Sequence, residues 1–209
     1  MTTTLDTDIP RTMTSLPLGV LKAMRPHQWT KNVLVFAAPL AAGKLSQDGL
    51  ILDACIAFVA FCLAAGGTYL LNDARDVESD RQHPTKRNRP IAAGIVPVRI
   101  AVIAGIVSLV ASVGVALLAH RNLAYTILAY LTLTCVYTFW LKHEPVFDIV
   151  SVAAGFVLRA IAGGTATGVP ISQWFYIVTS AGALFMVVGK RQGEAMELMT
   201  RDGVTSTDN

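Results

Sequence analysis

Apolar residues in this chain come in long blocks with few charges inside them, rather than at a two-residue or helical-surface period. The runs are Val33 to Leu45, Leu50 to Leu71, Val96 to Ala119, Leu123 to Leu141, Val146 to Thr167 and Trp174 to Gly189. A helix needs about 20 such residues to cross a bilayer. Five runs reach or approach that length. The first is short and broken by Pro39, so it spans only if its helix begins upstream near Leu16. The pattern predicts an all-α membrane protein with about six transmembrane helices in one domain.

Composition agrees. Hydrophobic residues make up 53% of the chain and charged residues 15%, with a mean hydropathy of +0.53. Soluble domains carry about 25% charge, so that class is excluded, and no nucleic-acid partner is expected. Neither a cleavable signal peptide nor a soluble domain is visible. Residues 1–15 read as a disordered cytoplasmic N-terminus, 16–197 as the transmembrane domain, and 198–209 as a polar tail. Cys55, Cys62 and Cys135 lie inside apolar runs without metal-type spacing and are expected to be small core residues. Fourteen of the 17 Lys and Arg residues fall on one side of the predicted spans, with Lys44 and Arg121 opposite and Arg159 within a span. Positive charge marks the cytoplasmic side. Both termini are expected there.

Candidate chemistry starts where the second run ends, at Asn72-Asp73-Ala74-Arg75-Asp76-Val77-Glu78-Ser79-Asp80. If the helix continues, Asp73, Asp76 and Asp80 fall within roughly 60° of one another on one face. Stacked like charges repel, and carboxylates at a helix C-terminus oppose its dipole. Such a cluster needs a cation, and hard oxygen ligands beside a membrane suit Mg²⁺ that shares its remaining positions with substrate phosphates.

A loop with Lys86, Arg87 and Arg89 between Pro84 and Pro90 follows the acids. A loop of this kind often only steadies topology. Placed after the carboxylates, it also suits phosphate oxygens that a metal leaves over. Arg25, Lys31 and Asn32 precede the first run, where Trp29 reads as an interfacial anchor; Lys190 and Arg191 close the last. His27 has no partner at metal-ligand spacing. Arg159, inside the fifth run, is either a functional residue or a structural tie to another helix.

The form NDxxDxxxD followed by KRNRPIAAG resembles the UbiA superfamily of intramembrane prenyltransferases. MRPHQWTKNVLVFAAP, FDIVSVAAGFVLRAIAGGTATGVPIS and GKRQGE are similar to its decaprenyl-phosphate phosphoribosyltransferase branch, over about Leu18 to Glu197. The resemblance implies a UbiA-type helical bundle in the bacterial plasma membrane with its active site on the cytoplasmic face. It implies transfer of 5-phosphoribose from phosphoribosyl pyrophosphate to a polyprenyl phosphate, for cell-wall arabinan. Carried onto this chain, Asp73, Asp76 and Asp80 hold Mg²⁺ on the diphosphate and Asn72 orients them. Lys86 and Arg89 bind phosphate oxygens, helped by Arg25 and Lys31, while Lys190 and Arg191 receive a second phosphate. Two other readings stay open: isoprenyl transfer to an aromatic acceptor, and a non-catalytic cation-binding or assembly subunit.

Two departures from the superfamily bear on these expectations. Where aromatic prenyltransferases resemble one another in a second Asp-rich motif, this chain has Lys190, Arg191 and Glu194. A cationic pair is a poor metal ligand and a good partner for a phosphate monoester. Superfamily members typically have nine spans, against six here. Truncation is the expected cause, ahead of a short form completed by another chain or a second copy, or a pseudoenzyme.

Overall fold

The computed structural model describes residues 15–47, 49–140 and 145–205, and among these it consists of helices joined by turns and loops, with no strand. Apart from Ser15, the N-terminal stretch expected to be disordered lies outside the described residues, as do residues 206–209. The helices are α1 (Ser15–Ala23), α2 (Ala37–Ala41), α3 (Leu50–Arg75), α4 (Val77–Gln82), α5 (Val98–Ala119), α6 (Arg121–Phe139), α7 (Pro145–Thr167) and α8 (Gln173–Thr205).

Among the described residues, three segments are long and apolar enough to cross a membrane: Leu50–Arg75, Val98–Ala119 and Val146–Thr167. At 1.5 Å per residue, α3 is about 39 Å long, more than the ~30 Å hydrocarbon layer. α6 and α8 lie over the fourth and sixth predicted runs. Large apolar side chains remain exposed on the helices, among them Ile103, Val107 and Val110 of α5 and Phe185 of α8. Exposed apolar side chains of this kind suit lipid. The chain is an integral membrane protein.

The first predicted span is not one helix. α1 stops before Arg25, a non-glycine residue with φ of 56°, and a 3-10 helix then runs from Pro26 to Phe36 into the short α2. The cause is local: a proline disfavours helical geometry in the residue before it and brings no N–H of its own. At the other end, the polar residues 198–205 continue α8 rather than leaving it. Only Cys62 is buried; Cys55 and Cys135 are exposed, contrary to the expectation that all three are core.

The chain forms two compact units, with α3 and α5 contributing to both. The first holds residues up to Thr30 and Cys62–Ala111. Its core is Ala23, Leu70, Ala74, Ile91, Val96 and Ala101. Here α3 meets α5 closely, because Gly67 and Gly105 carry no side chain: a Cβ on Gly67 would stand 2.9 Å from the Gly105 carbonyl oxygen. The second unit holds Lys31–Phe61 and the residues from Ser112 on. In it α7 packs on α6, α8 and α2, with Ala153, Ala183 and Val187 in a small core. Gly163 of α7 lies so close to the Val35 carbonyl that any side chain there would clash.

Candidate active site

In the first unit the acidic motif and the basic loop fold onto one another. α3 ends at Arg75, and Asp76 leaves helical geometry (φ −90°, ψ 11°) before α4 begins. The backbone nevertheless keeps its four-residue bonds on both sides, Asp76 N–H to the Asn72 carbonyl and Asp80 N–H to the Asp76 carbonyl, each 2.9 Å. Asp73 and Asp80 stay on a common side and are almost completely buried, at 4% and 2% exposed. Asp76 and Asn72 are half-buried.

Two ionised carboxylates out of water need cations and hydrogen bonds. Arg89 Nη1 donates to Asp73 Oδ1 at 3.1 Å and to Asp80 Oδ2 at 2.7 Å, so a single nitrogen makes neighbours of the two acids. Arg25 Nη2 donates to both oxygens of Asp73, at 2.7 and 3.0 Å. The Arg25 guanidinium also lies over the Tyr69 ring, 4.6 Å from its centre. Two acids and two bases therefore form one chain of charge, Arg25–Asp73–Arg89–Asp80.

The basic loop is anchored rather than loose. Pro90, Ile91 and Ala92 after it are buried, and the Ile95 and Val96 N–H groups both bond the Pro90 carbonyl. Ile91 plugs into the core and sets Arg89 at its edge. Before it, His83 Nδ1 accepts from the Thr85 and Lys86 N–H groups and shapes the turn. The Lys86 side chain is exposed.

Among the described residues, no three His, Cys, Asp or Glu side chains gather closely enough to hold one metal ion. The expectation of three stacked acids takes the helix as continuous, whereas it is broken at Asp76. Asp73 and Asp80 remain a pair of buried hard-oxygen donors, joined by a cation.

The second unit contains Lys31, Lys190 and Arg191. Arg191 donates to Asp148 Oδ2, whose other oxygen accepts from the Tyr137 hydroxyl at 2.7 Å. Asp148 thus ties α6, α7 and α8 and is 6% exposed. Partial burial holds the Lys31 ammonium below the usual lysine range, and the positive charges of Lys190 and Arg159 push it the same way. Arg159 is buried and donates to Asn32 Oδ1, the Gly155 carbonyl and the Tyr130 hydroxyl, at 2.8, 2.8 and 2.9 Å. Of these tyrosines only Tyr69 carried a readable signal: four residues before Asp73, it shares that helix face. Tyr130 and Tyr137 look like ordinary members of an apolar run.

The model of the UbiA prenyltransferase family matches residues 33–200. The chain belongs to that family. Among relatives of this UbiA-family chain, the decaprenyl-phosphate phosphoribosyltransferase of Corynebacterium glutamicum is 52% identical over 182 residues, covering 85% of this chain and 55% of the relative. That of Mycolicibacterium smegmatis is 50% identical, covering 90% of this chain and 60% of the relative. The Mycobacterium tuberculosis protein of that name is 49% identical, with 90% and 64% covered. The chain therefore spans between 55% and 64% of these relatives' length. Of solved structures, a UbiA homologue from Archaeoglobus fulgidus bound to DMAPP and Mg²⁺ superposes with a TM-score of 0.68 at 22% identity, over 79% of this chain and 60% of that one. A digeranylgeranylglyceryl phosphate synthase gives 0.67 at 17% identity, over 91% and 66%. At such identities the likeness is one of fold.

Proposed function

We propose that the chain acts as a decaprenyl-phosphate phosphoribosyltransferase, moving 5-phosphoribose from phosphoribosyl pyrophosphate to a polyprenyl phosphate and releasing diphosphate, in the supply of cell-wall arabinan precursors. The observation that carries the reading is the half-buried Arg25–Asp73–Arg89–Asp80 chain, in a protein about half identical to relatives of that name.

The residues fit Mg²⁺ by the chemistry of their donors. Asp73 and Asp80 are hard-oxygen ligands already drawn together, and Asp76 sits on the turn between them. Mg²⁺ needs only one or two carboxylates when phosphate oxygens complete its shell. Bound there, the ion would neutralise charge gathering on the diphosphate.

The protein's own groups do the rest. Asn72 holds the Asp76 turn through its carbonyl. Arg25 and Arg89 present fixed guanidinium groups to phosphate oxygens, with Lys86 nearby on the loop. Lys31, Lys190 and Arg191 offer cationic groups for a phosphate monoester. As the bond from the anomeric carbon to the diphosphate oxygen breaks, its electron pair leaves with diphosphate. An oxygen of the lipid phosphate forms the new bond. That nucleophile is already ionised, so no general base is required, and positioning with charge stabilisation supplies the rate. The reading sets this chemistry on the cytoplasmic face of the plasma membrane, which the positive-inside bias supports.

The test uses the purified chain in lipid nanodiscs with labelled phosphoribosyl pyrophosphate, decaprenyl phosphate and Mg²⁺. A parallel arm holds geranyl diphosphate and 4-hydroxybenzoate. Label entering the lipid, abolished by EDTA, is the expected result. Product in the second arm alone would replace this reading with isoprenyl transfer.

A further inference from the structure

The first unit receives Arg25 on one face of α3. Gly66, Tyr69 and Asp73 stand three and four residues apart, so they share a helical face, and each meets a different part of the incoming turn. Gly66 makes room for it: a Cβ there would stand 2.6 Å from the Met24 methyl and 3.0 Å from the Met24 Cβ. Trp29 Nε1 donates to the Met24 carbonyl at 3.2 Å and ties the turn to the 3-10 stretch. Asp73 takes the charge, through Arg25 Nη2. Tyr69 lies against the guanidinium, its ring centre 4.6 Å from Cζ.

Asp73 grips Arg25 by one nitrogen. A forked pair with two parallel N–H···O bonds fixes the planes of both groups. Here both carboxylate oxygens accept from Nη2, at 2.7 and 3.0 Å, so the guanidinium can turn about that nitrogen as on a hinge. A ring face beneath the cation removes this freedom, because the attraction is to the face. Among the described residues, Nη2 is the one nitrogen of Arg25 that donates to a protein acceptor, and no buried side-chain nitrogen lacks a partner. Nε and Nη1 therefore lie at the accessible edge of a side chain that is 25% exposed.

We propose that Tyr69 is a positioning residue, whose ring fixes the plane of the Arg25 guanidinium and so holds Nε and Nη1 ready for an oxygen of the donor's diphosphate. The inference rests on the phosphate role given to Arg25 above. Without the ring, the hydrogen bond to Asp73 and the charge both remain, but the two donors must be ordered when the ligand binds. That ordering costs affinity.

The measurement is calorimetric binding of pyrophosphate, in excess Mg²⁺, to the full chain in nanodiscs, with thermal unfolding to verify that each variant is folded. Tyr69→Leu removes the ring face and should weaken binding by roughly three- to tenfold. Tyr69→Phe keeps the face and should stay within about twofold of the parent. Arg25→Gln should weaken binding by about tenfold or more. In the Arg25→Gln background, Tyr69→Leu should add less than about a further twofold, since a ring that acts through Arg25 has nothing left to position. A ring that only packs would cost the same in both backgrounds, and that result overturns the inference. So does parent-like binding by Tyr69→Leu, or a loss in Tyr69→Phe as large as that in Tyr69→Leu, which would assign the effect to the hydroxyl. Unchanged binding in Arg25→Gln would instead overturn the phosphate role of Arg25, and the inference with it.

Discussion

Arg25 donates through one nitrogen to both carboxylate oxygens of Asp73, across 48 residues of sequence. Its backbone stands in the left-handed region, with φ of 56°, where a side-chain-bearing residue loses roughly 1–2 kcal/mol. The turn between the end of α1 and Pro26 is thus also what delivers a guanidinium to the buried acid. Local strain held by its surroundings is a frequent mark of functional positions.

Arg25→Ala should lower kcat/KM for phosphoribosyl transfer by about 10²-fold or more, because it removes one partner of a buried, hydrogen-bonded charge pair. Arg25→Lys should recover only a small part, since an ammonium cannot reproduce a planar fork. Steady-state kinetics with the three proteins decide it. Full activity in Arg25→Ala would remove this residue from the site.

Arg89 is the only residue found on both Asp73 and Asp80 among the described side chains. Arg89→Gln leaves two buried carboxylates short of a cation, so the variant should unfold at a lower temperature without Mg²⁺. Added Mg²⁺ should then raise its unfolding temperature by more than it raises that of the parent, as expected for a ligand that binds only the folded state. Thermal melts over a Mg²⁺ titration give the answer. Equal responses in the two proteins would show that the ion does not use this acid pair.

Lys190 and Arg191 should separate when changed one at a time. Lys190→Ala should raise the KM for phosphoribosyl pyrophosphate several-fold and leave that for the lipid phosphate unchanged. Arg191→Ala releases the buried Asp148 carboxylate from its partner and should act on stability as well, by about 1–3 kcal/mol. Kinetics and melting of both variants check this, and an unchanged donor KM in Lys190→Ala would contradict the second-phosphate assignment.

Gly67→Ala should destabilise by about 1–3 kcal/mol through overpacking, because its new methyl would meet the Gly105 carbonyl oxygen and the Leu109 side chain. Gly114→Ala is the control, with nothing within 4 Å of its added carbon. It should be neutral or mildly stabilising, as expected for alanine replacing glycine in a helix.

The stretches readable in advance are those governed by neighbours in sequence. The run Leu50 to Leu71 foretold α3 because a mainly apolar stretch of this length has no other stable form in lipid. The acidic and basic motifs were legible as chemistry because residue type and spacing carry it. The first predicted span failed at Arg25 and Pro26, where one backbone conformation outweighed the hydropathy of the whole window. The break in the helix at Asp76 was equally illegible: a kink of one residue is invisible to a periodicity argument.

Block hydropathy, the charge bias and the order of acid before base were thus determined by the chain alone, since each depends only on residues adjacent or one helical turn apart. Folding in three dimensions decided the partners. It set Arg89 between Asp73 and Asp80, brought Arg25 from a distant segment onto Asp73, and buried Arg159 among neutral groups with Asn32. The physical reason is that a buried charge takes whichever counter-group the packed helices leave within about 3 Å, and that proximity depends on tertiary packing.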